Sequence, residues 1–195
     1  MSTRPKCIIV TGRAGSGKTT LAKELGKRLW MPVISRDEIK EGYVNTFGVK
    51  HDELPKDTDL VVTNFFFDIV SQYLANKVSV IIDAAFQHKV WQPRIAKIAE
   101  IASPFIIVCS IDVEIAARRH LQRGLDNPER VIYHEDKRVS IYRATGAMGA
   151  PKPYEAPDID VPTIHVSTDG VYSPSLDKII EKIQKCKIPT VPKST

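Results

Sequence analysis

The sequence predicts an α/β fold of three layers, in which a five-stranded parallel sheet lies between two layers of helices. Five short apolar segments are interspersed with longer segments of helical periodicity, and this pattern is typical of a parallel sheet. Residues 104–111 form the most apolar segment, as expected for a strand that is covered on both faces. A chain of 195 residues, 43% of them hydrophobic, is long enough to bury the core of one domain.

The individual elements are predicted from runs of apolar residues and from apolar residues spaced three or four positions apart. The strands are residues 7–11, 32–35, 78–83, 104–111 and 162–167. The helices are residues 18–30, 36–45, 59–76, 90–102, 113–123 and 175–186. In the first helix the spacing predicts an inner face, which consists of Leu21, Ala22, Leu25, Leu29 and Trp30.

Residues 124–160 interrupt this rhythm. They are rich in glycine and proline and contain a helical stretch at residues 131–142. We interpret residues 124–160 as a mobile insertion, a lid, within a single domain that spans residues 1–195. Residues 46–58 are predicted to form a loop, and the tail at 188–195 is predicted to fray.

Bulk composition narrows the class of protein. No run of about 18 apolar residues occurs and the N-terminus lacks the features of a secretory signal, so we expect a cytoplasmic protein without a membrane partner. Cys7, Cys109 and Cys186 lie far apart, which predicts buried thiols rather than a disulfide framework or a metal site. The net charge of +5 suits a nucleic-acid partner or an enzyme that holds several phosphate groups. The scattered basic residues favour the enzyme.

A glycine-rich segment joins the first predicted strand to the first predicted helix. It matches the Walker A pattern, and its residues are Gly12, Arg13, Ala14, Gly15, Ser16, Gly17, Lys18 and Thr19, followed by Thr20. In this pattern backbone N–H groups and the helix N-terminus bind phosphate, the lysine bridges the outer phosphates, and the threonine ligates Mg²⁺. The alternative is a glycine-rich turn that binds nothing, but such a turn requires neither Lys18 nor Thr19. The segment therefore predicts nucleotide binding.

The remaining sequence discriminates among nucleotide-binding classes. GTPases carry Asn-Lys-x-Asp and Asp-x-x-Gly motifs, and neither occurs in this chain. Motor ATPases usually need a larger core than 195 residues provide. The length therefore favours a small kinase.

Four features in a fixed order carry a resemblance to a known group of kinases. They are residues 12–20, 34–39 and 81–84 and the pair Arg119 and Arg123, all within residues 6–125. In these features the chain resembles the polynucleotide kinase and zeta toxin branch of the P-loop kinases, and it is similar to chloramphenicol phosphotransferase and gluconate kinase. The resemblance implies a P-loop NTPase fold and a Mg²⁺-dependent transfer of phosphate from ATP to a hydroxyl group.

The resemblance also implies roles for residues at the ends of two predicted strands. Asp37 matches the base that accepts the proton of the attacking hydroxyl, although a carboxylate there also complements the dipole of a helix N-terminus. Arg36 matches an arginine that holds an acceptor phosphate, and a solvated surface arginine is the alternative. Asp83 matches the carboxylate that holds Mg²⁺ near Thr19, and a cap for the following turn is the alternative.

Further implied contacts concern the nucleotide. Arg119 is expected to pack on the adenine and Arg123 to reach the phosphates, so that Lys18 and Asp37 together with these two arginines form the predicted catalytic set. The alternative for both arginines is a basic last helical turn that complements the helix dipole. Thr168 follows the last predicted strand, where similar kinases place backbone against the adenine.

The leading prediction is phosphoryl transfer from Mg·ATP to a hydroxyl group. Three classes of acceptor stay open: a small metabolite or antibiotic, a nucleotide or nucleotide sugar, and the 5′-hydroxyl of a nucleic acid. The rival hypothesis is an ATP-binding switch or adaptor that hydrolyses ATP slowly and acts by binding a partner.

Overall fold

The architecture is built on one parallel sheet. A computed structural model describes residues 4–134, 137–151 and 153–186 of the chain. The strands are β1 (Lys6–Gly12), β2 (Val33–Ser35), β3 (Val80–Asp83), β4 (Ser103–Ser110) and β5 (Thr163–Ser167). Neighbouring strands are parallel, and their order across the sheet is β2-β3-β1-β4-β5. Strand β1 is therefore central, with β3 on one side and β4 on the other.

Helices cover the sheet. Those within the described residues are α1 (Lys18–Leu29), α2 (Arg36–Phe47), α3 (Thr58–Ala75), α4 (His88–Ile101), α5 (Val113–Asp126), α6 (Arg130–Tyr133), α7 (Lys137–Thr145) and α8 (Leu176–Lys185). A short 3₁₀ turn covers His51–Glu53. In the part of the chain that the structure describes, no helix combines the length and the apolar character needed to cross a membrane.

The sheet separates two apolar cores, because successive side chains of a strand point to opposite faces. One core contains Ile9, Phe66, Ile82, Trp91 and Ile106. The other contains Ile8, Leu21, Ile81, Ile107 and Ile179. All ten side chains are fully buried, and each isoleucine or leucine contributes about 1.5–3 kcal/mol of hydrophobic stabilisation. These two cores confirm the predicted three-layer α/β fold.

The prediction that Trp30 faces the core is wrong, since this residue is 94% exposed. Helix α1 ends at Leu29, and Trp30 adopts a left-handed backbone conformation with φ of 55°. Its N–H donates to the carbonyl oxygen of Gly26, which closes the last turn. The chain leaves the helix direction at this point, so the side chain of Trp30 no longer follows the inner face.

The helical stretch predicted at residues 131–142 is interrupted. Helix α6 ends at Tyr133, and His134 has an extended backbone with φ of −132° and ψ of 128°. The His134 imidazole lies 2.8 Å from the carboxylate of Glu41 in α2, a contact made where the helix ends. Helix α7 then begins at Lys137. Residues 135–136 and the predicted tail at 188–195 lie outside the described residues.

Hydrogen bonds attach part of the predicted insertion to the residues that follow β3. Gln87 donates through Nε2 to the carbonyl oxygen of Pro153 at 3.0 Å and accepts through Oε1 from the N–H of Glu155 at 2.6 Å. The N–H of Asp158 donates to Nδ1 of His88 at 3.1 Å. These bonds hold this segment beside the N-terminus of α4, near the carboxyl end of β3.

Candidate active site

The loop between β1 and α1 requires a glycine at position 15. Gly15 has φ of +85°, a conformation that side chains rarely adopt. A Cβ atom there would lie 2.1 Å from the carbonyl oxygen of Ala116, so the loop packs directly on α5. Helix α1 begins at Lys18, and the first N–H groups of a helix have no partner within it. Together with the helix dipole they form a site suited to phosphate.

Thr168 fastens this loop to the end of β5. Its hydroxyl donates to the carbonyl oxygen of Ser16 at 2.7 Å, and its N–H donates to the carbonyl oxygen of Ser110 at 3.0 Å. The Thr168 carbonyl oxygen accepts a 3.1 Å hydrogen bond from Nη1 of Arg119, whose Nη2 lies 3.7 Å from Oδ1 of Asp169. The loop, β4, β5 and α5 therefore meet at Thr168.

Thr19 and Asp83 form a polar pair at the adjacent strand end. The Thr19 hydroxyl donates to Oδ2 of Asp83 at 2.6 Å. Oδ1 of Asp83 is buried without a hydrogen-bond partner among the described residues. Burial raises the pKa of Asp83, and it is opposed mainly by the charge of Lys18 and the hydrogen bond from Thr19. A buried carboxylate with one unbonded oxygen is stabilised by a nearby cation.

This pair fits a Mg²⁺ ion that is held partly by substrate. Mg²⁺ in phosphotransfer sites takes one or two protein oxygens, and phosphates and water supply the rest. Thr19 and Asp83 offer a hydroxyl oxygen and an unbonded carboxylate oxygen. Within the described ranges no cluster of three or more His, Cys, Asp or Glu residues is present that could hold a metal by itself. The donor set therefore suits Mg²⁺ bound together with phosphate.

Asp37 lies in the first turn of α2 and lines the same cleft as Lys18. Its side chain is 49% exposed, whereas Lys18 is only 6% exposed. Desolvation by itself raises the pKa of Asp37, but nearby positive charge, first of all that of Lys18, outweighs it and holds the pKa below its ordinary value. Further contributions come from His134, Arg36 and Arg130. Asp37 is thus an ionised carboxylate that faces the loop.

The cleft has a volume of about 400 Å³ and a strongly basic lining. It is lined by the β1–α1 loop, the first turn of α2, residues 85 and 87 after β3, helices α5 to α7, and residues 134, 148–151 and 153–154. The lysines and arginines of the described lining are Arg13, Lys18, Arg123, Arg130, Lys137 and Arg138. Asp37 is the only carboxylate in that described lining. Such a cleft favours ligands with several negative charges.

Arg119 and Arg123 occupy one face of α5 but contact different parts of the site. Arg119 bonds to Thr168 at the end of β5. Arg123 lines the basic cleft one turn later. The two arginines therefore extend from the β5 side of the site to the cleft that faces Asp37.

A protein-family model described as an AAA domain matches residues 7–139, which is more than half of the chain. The chain belongs to the AAA domain family. The match begins in β1 and ends in α7, so it contains the phosphate loop, Asp37, Asp83 and the arginines of α5. No curated protein matches the chain.

Solved structures show the same fold as this AAA domain. A candidate kinase from Chloroflexus aurantiacus J-10-fl has a TM-score of 0.74 at 22% identity over 93% of this chain and 97% of its own. The APS kinase CysC of Mycobacterium tuberculosis, solved with AMPPNP and APS, has a TM-score of 0.63 at 16% identity over 93% and 98%. A chain of the Pnkp1/Rnl/Hen1 RNA repair complex has a TM-score of 0.56 at 22% identity over 82% and 51%. The fold is that of a P-loop NTPase with kinases among its structural neighbours.

Arg36 takes a position in the AAA domain that the sequence does not predict. Its Nη2 donates to Oδ1 of Asp59 in α3 at 2.6 Å, and Lys40 lies 3.0 Å from the same oxygen. These two cations lower the pKa of Asp59 to about 2 against the opposing effect of burial. Arg36 Nη1 is 3.8 Å from Asp37. The guanidinium thus joins α2 to α3. The predicted contact of Arg36 with an acceptor phosphate stays a prediction.

Sequence patterns miss two further contacts within the described residues. Nε2 of His134 lies 2.8 Å from Oε1 of Glu41, which connects α6 to α2. Burial lowers the pKa of His134, although Glu41 opposes this. The Tyr154 hydroxyl lies 3.1 Å from Oγ1 of Thr11, which also accepts from Nε1 of Trp91. Neither contact has a local sequence signal, because the partners are about 90 and 140 residues apart.

Proposed function

We propose that the chain is a cytoplasmic kinase that transfers the γ-phosphoryl group of ATP to a hydroxyl group. The observation that carries this proposal is the position of Asp37. Its carboxylate lines the same cleft as Lys18, whose charge helps to hold the pKa of Asp37 below its ordinary value, whereas Thr19 and Asp83 are bonded to each other. A carboxylate in that position suits a base for an attacking hydroxyl.

Each remaining part of the site has a role in this reaction. The N–H groups of the loop and the ammonium of Lys18 would bind the phosphates, and Thr19 and Asp83 would hold Mg²⁺. Bound Mg²⁺ would neutralise charge on the phosphates. Arg119 would lie at the nucleotide base and Arg123 at the phosphates.

The transfer requires one bond to break and one to form. The bond between the γ-phosphorus and the oxygen that bridges to the β-phosphate breaks, and ADP leaves with that electron pair. The acceptor oxygen forms a new bond to the γ-phosphorus, and its proton passes to Asp37. Lid residues would exclude water from the cleft so that the acceptor hydroxyl rather than water is phosphorylated.

The base is tested by replacing Asp37 with Asn. We expect kcat for ADP release with a hydroxyl-compound panel to fall about 10²- to 10⁴-fold, while the ATP dissociation constant measured by calorimetry stays the same. Asp68→Asn is the matched control, because Asp68 is an exposed carboxylate of α3 outside the cleft.

Two results would contradict the proposal. Unchanged turnover in the Asp37→Asn variant would show that Asp37 is not the base. ADP release that no member of the panel accelerates would instead support an ATP-dependent switch.

The panel contains a member of each acceptor class: an aminoglycoside or sugar, a nucleotide, and an oligonucleotide with a free 5′-hydroxyl. Binding of an oligonucleotide through phosphate contacts falls steeply with salt, whereas binding of a neutral sugar does not. Repeating the assay at low and high salt therefore separates these classes.

A further inference from the structure

The sheet order divides the cleft into two sides. The loop after β1 lies between the carboxyl ends of β3 and β4, where parallel sheets bind ligands. Thr168 and Arg119 lie on the β4–β5 side. Asp37 follows β2 and Gln87 follows β3, on the β2–β3 side. If the nucleotide base binds on the β4–β5 side, the acceptor binds on the β2–β3 side.

Arg130 belongs to the acceptor side. It lines the cleft from α6, and its side chain is 16% exposed. Helix α6 is held against α2 by the 2.8 Å contact between His134 and Glu41. Glu41 is also the carboxylate that pairs with Arg130 among the described ion pairs, and it lies 3.9 Å from Nη1. Nε of Arg130 is buried and has no hydrogen-bond partner among the described residues.

Arg138 lines the same cleft from α7. Its Nη2 makes a long 3.4 Å contact with the carbonyl oxygen of Ala150. The segment that contains Ala150 is fixed by the hydrogen bond between Pro153 and Gln87, which follows β3. Nη1 of Arg138 is buried and lacks a hydrogen-bond partner within the described ranges.

Two guanidinium groups with buried, unbonded nitrogens are costly unless a ligand pairs with them. A buried donor without a partner costs about 1–3 kcal/mol, and more when the group is charged. Asp37 is the one carboxylate of the described lining, and its single charge, which also interacts with Lys18, cannot neutralise both arginines. Phosphate oxygens match the planar donors of arginine better than any neutral group does.

We propose, on the basis of the kinase function above, that the acceptor is a small phosphorylated compound whose phosphate is bound by Arg130 and Arg138 while its hydroxyl faces Asp37. The cleft of about 400 Å³ is lined by residues 148–151 and 153–154, and this volume fits a small molecule rather than a polymer. The enzyme thus adds a second phosphate to a monophosphate.

Inorganic phosphate tests the subsite without any turnover. Calorimetry with the protein saturated by Mg·AMPPNP is expected to show phosphate binding that weakens about tenfold in Arg130→Gln and in Arg138→Gln. The AMPPNP dissociation constant should not change in either variant. Arg143→Gln is the control, because Arg143 is an exposed arginine of α7 outside the described lining. Absence of phosphate binding, or loss of AMPPNP affinity in both variants, would overturn the proposal.

Turnover with matched acceptors gives the second readout. Each pair contains a nucleoside and its monophosphate, or a sugar and its phosphate. We expect kcat/KM to be about tenfold or more higher for the phosphorylated member, and the preference to disappear in Arg130→Gln. Preference for the neutral member, or for an oligonucleotide, would overturn the acceptor class and leave the kinase function intact. Phosphate binding that depends on both arginines, without turnover of any pair, would support the subsite and count against the kinase function.

Discussion

At the β4–β5 side of the cleft Thr168 and Arg119 are bonded within the protein, whereas at the β2–β3 side a carboxylate and two guanidinium groups have buried atoms that lack a partner within the described residues. Thr168 and Arg119 complete the first side without any ligand. Asp83, Arg130 and Arg138 each leave a buried polar atom unbonded on the second. In the proposed kinase, the side assigned to the nucleotide is therefore held by the protein's own contacts, and the other side offers buried polar atoms to ligands.

The largest effect is expected from Gly15→Ala, which disturbs the packing of the β1–α1 loop on α5. The new Cβ would meet the Ala116 carbonyl oxygen, and a side chain disfavours φ of +85° at this position. We expect ATP affinity to fall about 100-fold in calorimetry. Gly42→Ala is the matched control, because no atom lies within 4 Å of a Cβ added to that helical glycine. Equal ATP affinity in both variants would refute the close packing of the loop on α5.

The second prediction concerns Asp59→Asn, which removes the anchor of Arg36 and Lys40. Because both cations are largely buried, we expect the free energy of unfolding at pH 7 to fall by about 2 kcal/mol. Asp59 is about half exposed, so screening keeps the loss below that of a fully buried pair. Asp68→Asn on the same helix is the control, and urea denaturation is the measurement.

The pH dependence of the Asp59 contribution has a definite sign. The pKa of Asp59 is about 2 in the folded protein, below its ordinary value of 3.8. The ionised form therefore stabilises the fold above pH 3.8, and this stabilisation is lost as the pH falls toward 2. The difference between wild type and Asp59→Asn should shrink between pH 7 and pH 3. A difference that stays constant over this range would contradict the ion pair.

Thr168→Val is expected to have a smaller effect. The variant keeps the shape of the side chain but removes the hydroxyl that bonds to Ser16. We expect a loss of about 1 kcal/mol in the free energy of unfolding and an increase of about fivefold in the KM for ATP. Thr168→Ser keeps the hydroxyl and should restore the KM. A KM that changes only in the serine variant would exclude the hydrogen bond as the cause.

The smallest effect is expected from Glu41→Gln on the β2–β3 side of the cleft. Glu41 raises the pKa of His134 against the effect of burial, so its loss should lower that pKa further. An NMR titration of the imidazole protons measures this shift. The KM for the acceptor should rise about twofold because α6 is held less firmly, and the KM for ATP should stay constant. Glu38→Gln is the control, since Glu38 pairs with Lys23 at the surface.

The sequence predicts the loop and the strand ends of the site better than it predicts the contacts between distant segments. Strands β1 and β4 and the loop at Gly12–Thr19 follow from apolar runs and a motif whose chemistry is local. Asp83 ends the third predicted strand and Asp37 lies two residues after the second, so their approach to the loop follows from the order of a parallel sheet.

Contacts between distant segments escape such patterns. The pairing of Glu41 with His134 joins residues 93 positions apart, and no periodicity relates them. Arg36 is predicted as a ligand for phosphate, yet Asp59 lies close enough in space to bind it. Trp30 fits the helical spacing but lies beyond the turn that ends α1. In each case a tertiary contact or a helix end, rather than local composition, decides the position of the side chain.

The bond between Thr168 and Ser16 joins residues 152 positions apart, and this separation has a consequence for synthesis. During translation the phosphate loop leaves the ribosome long before the residues that follow β5. A nascent chain that ends before Thr168 can form β1 and α1, but its loop lacks the hydroxyl that fastens it. Bringing two residues so far apart in sequence together costs chain entropy before the hydrogen bond can form. We therefore expect this contact to form late in folding. The hydrogen bond from Thr168 to Ser16 thus marks a chain in which β5 has already joined the sheet.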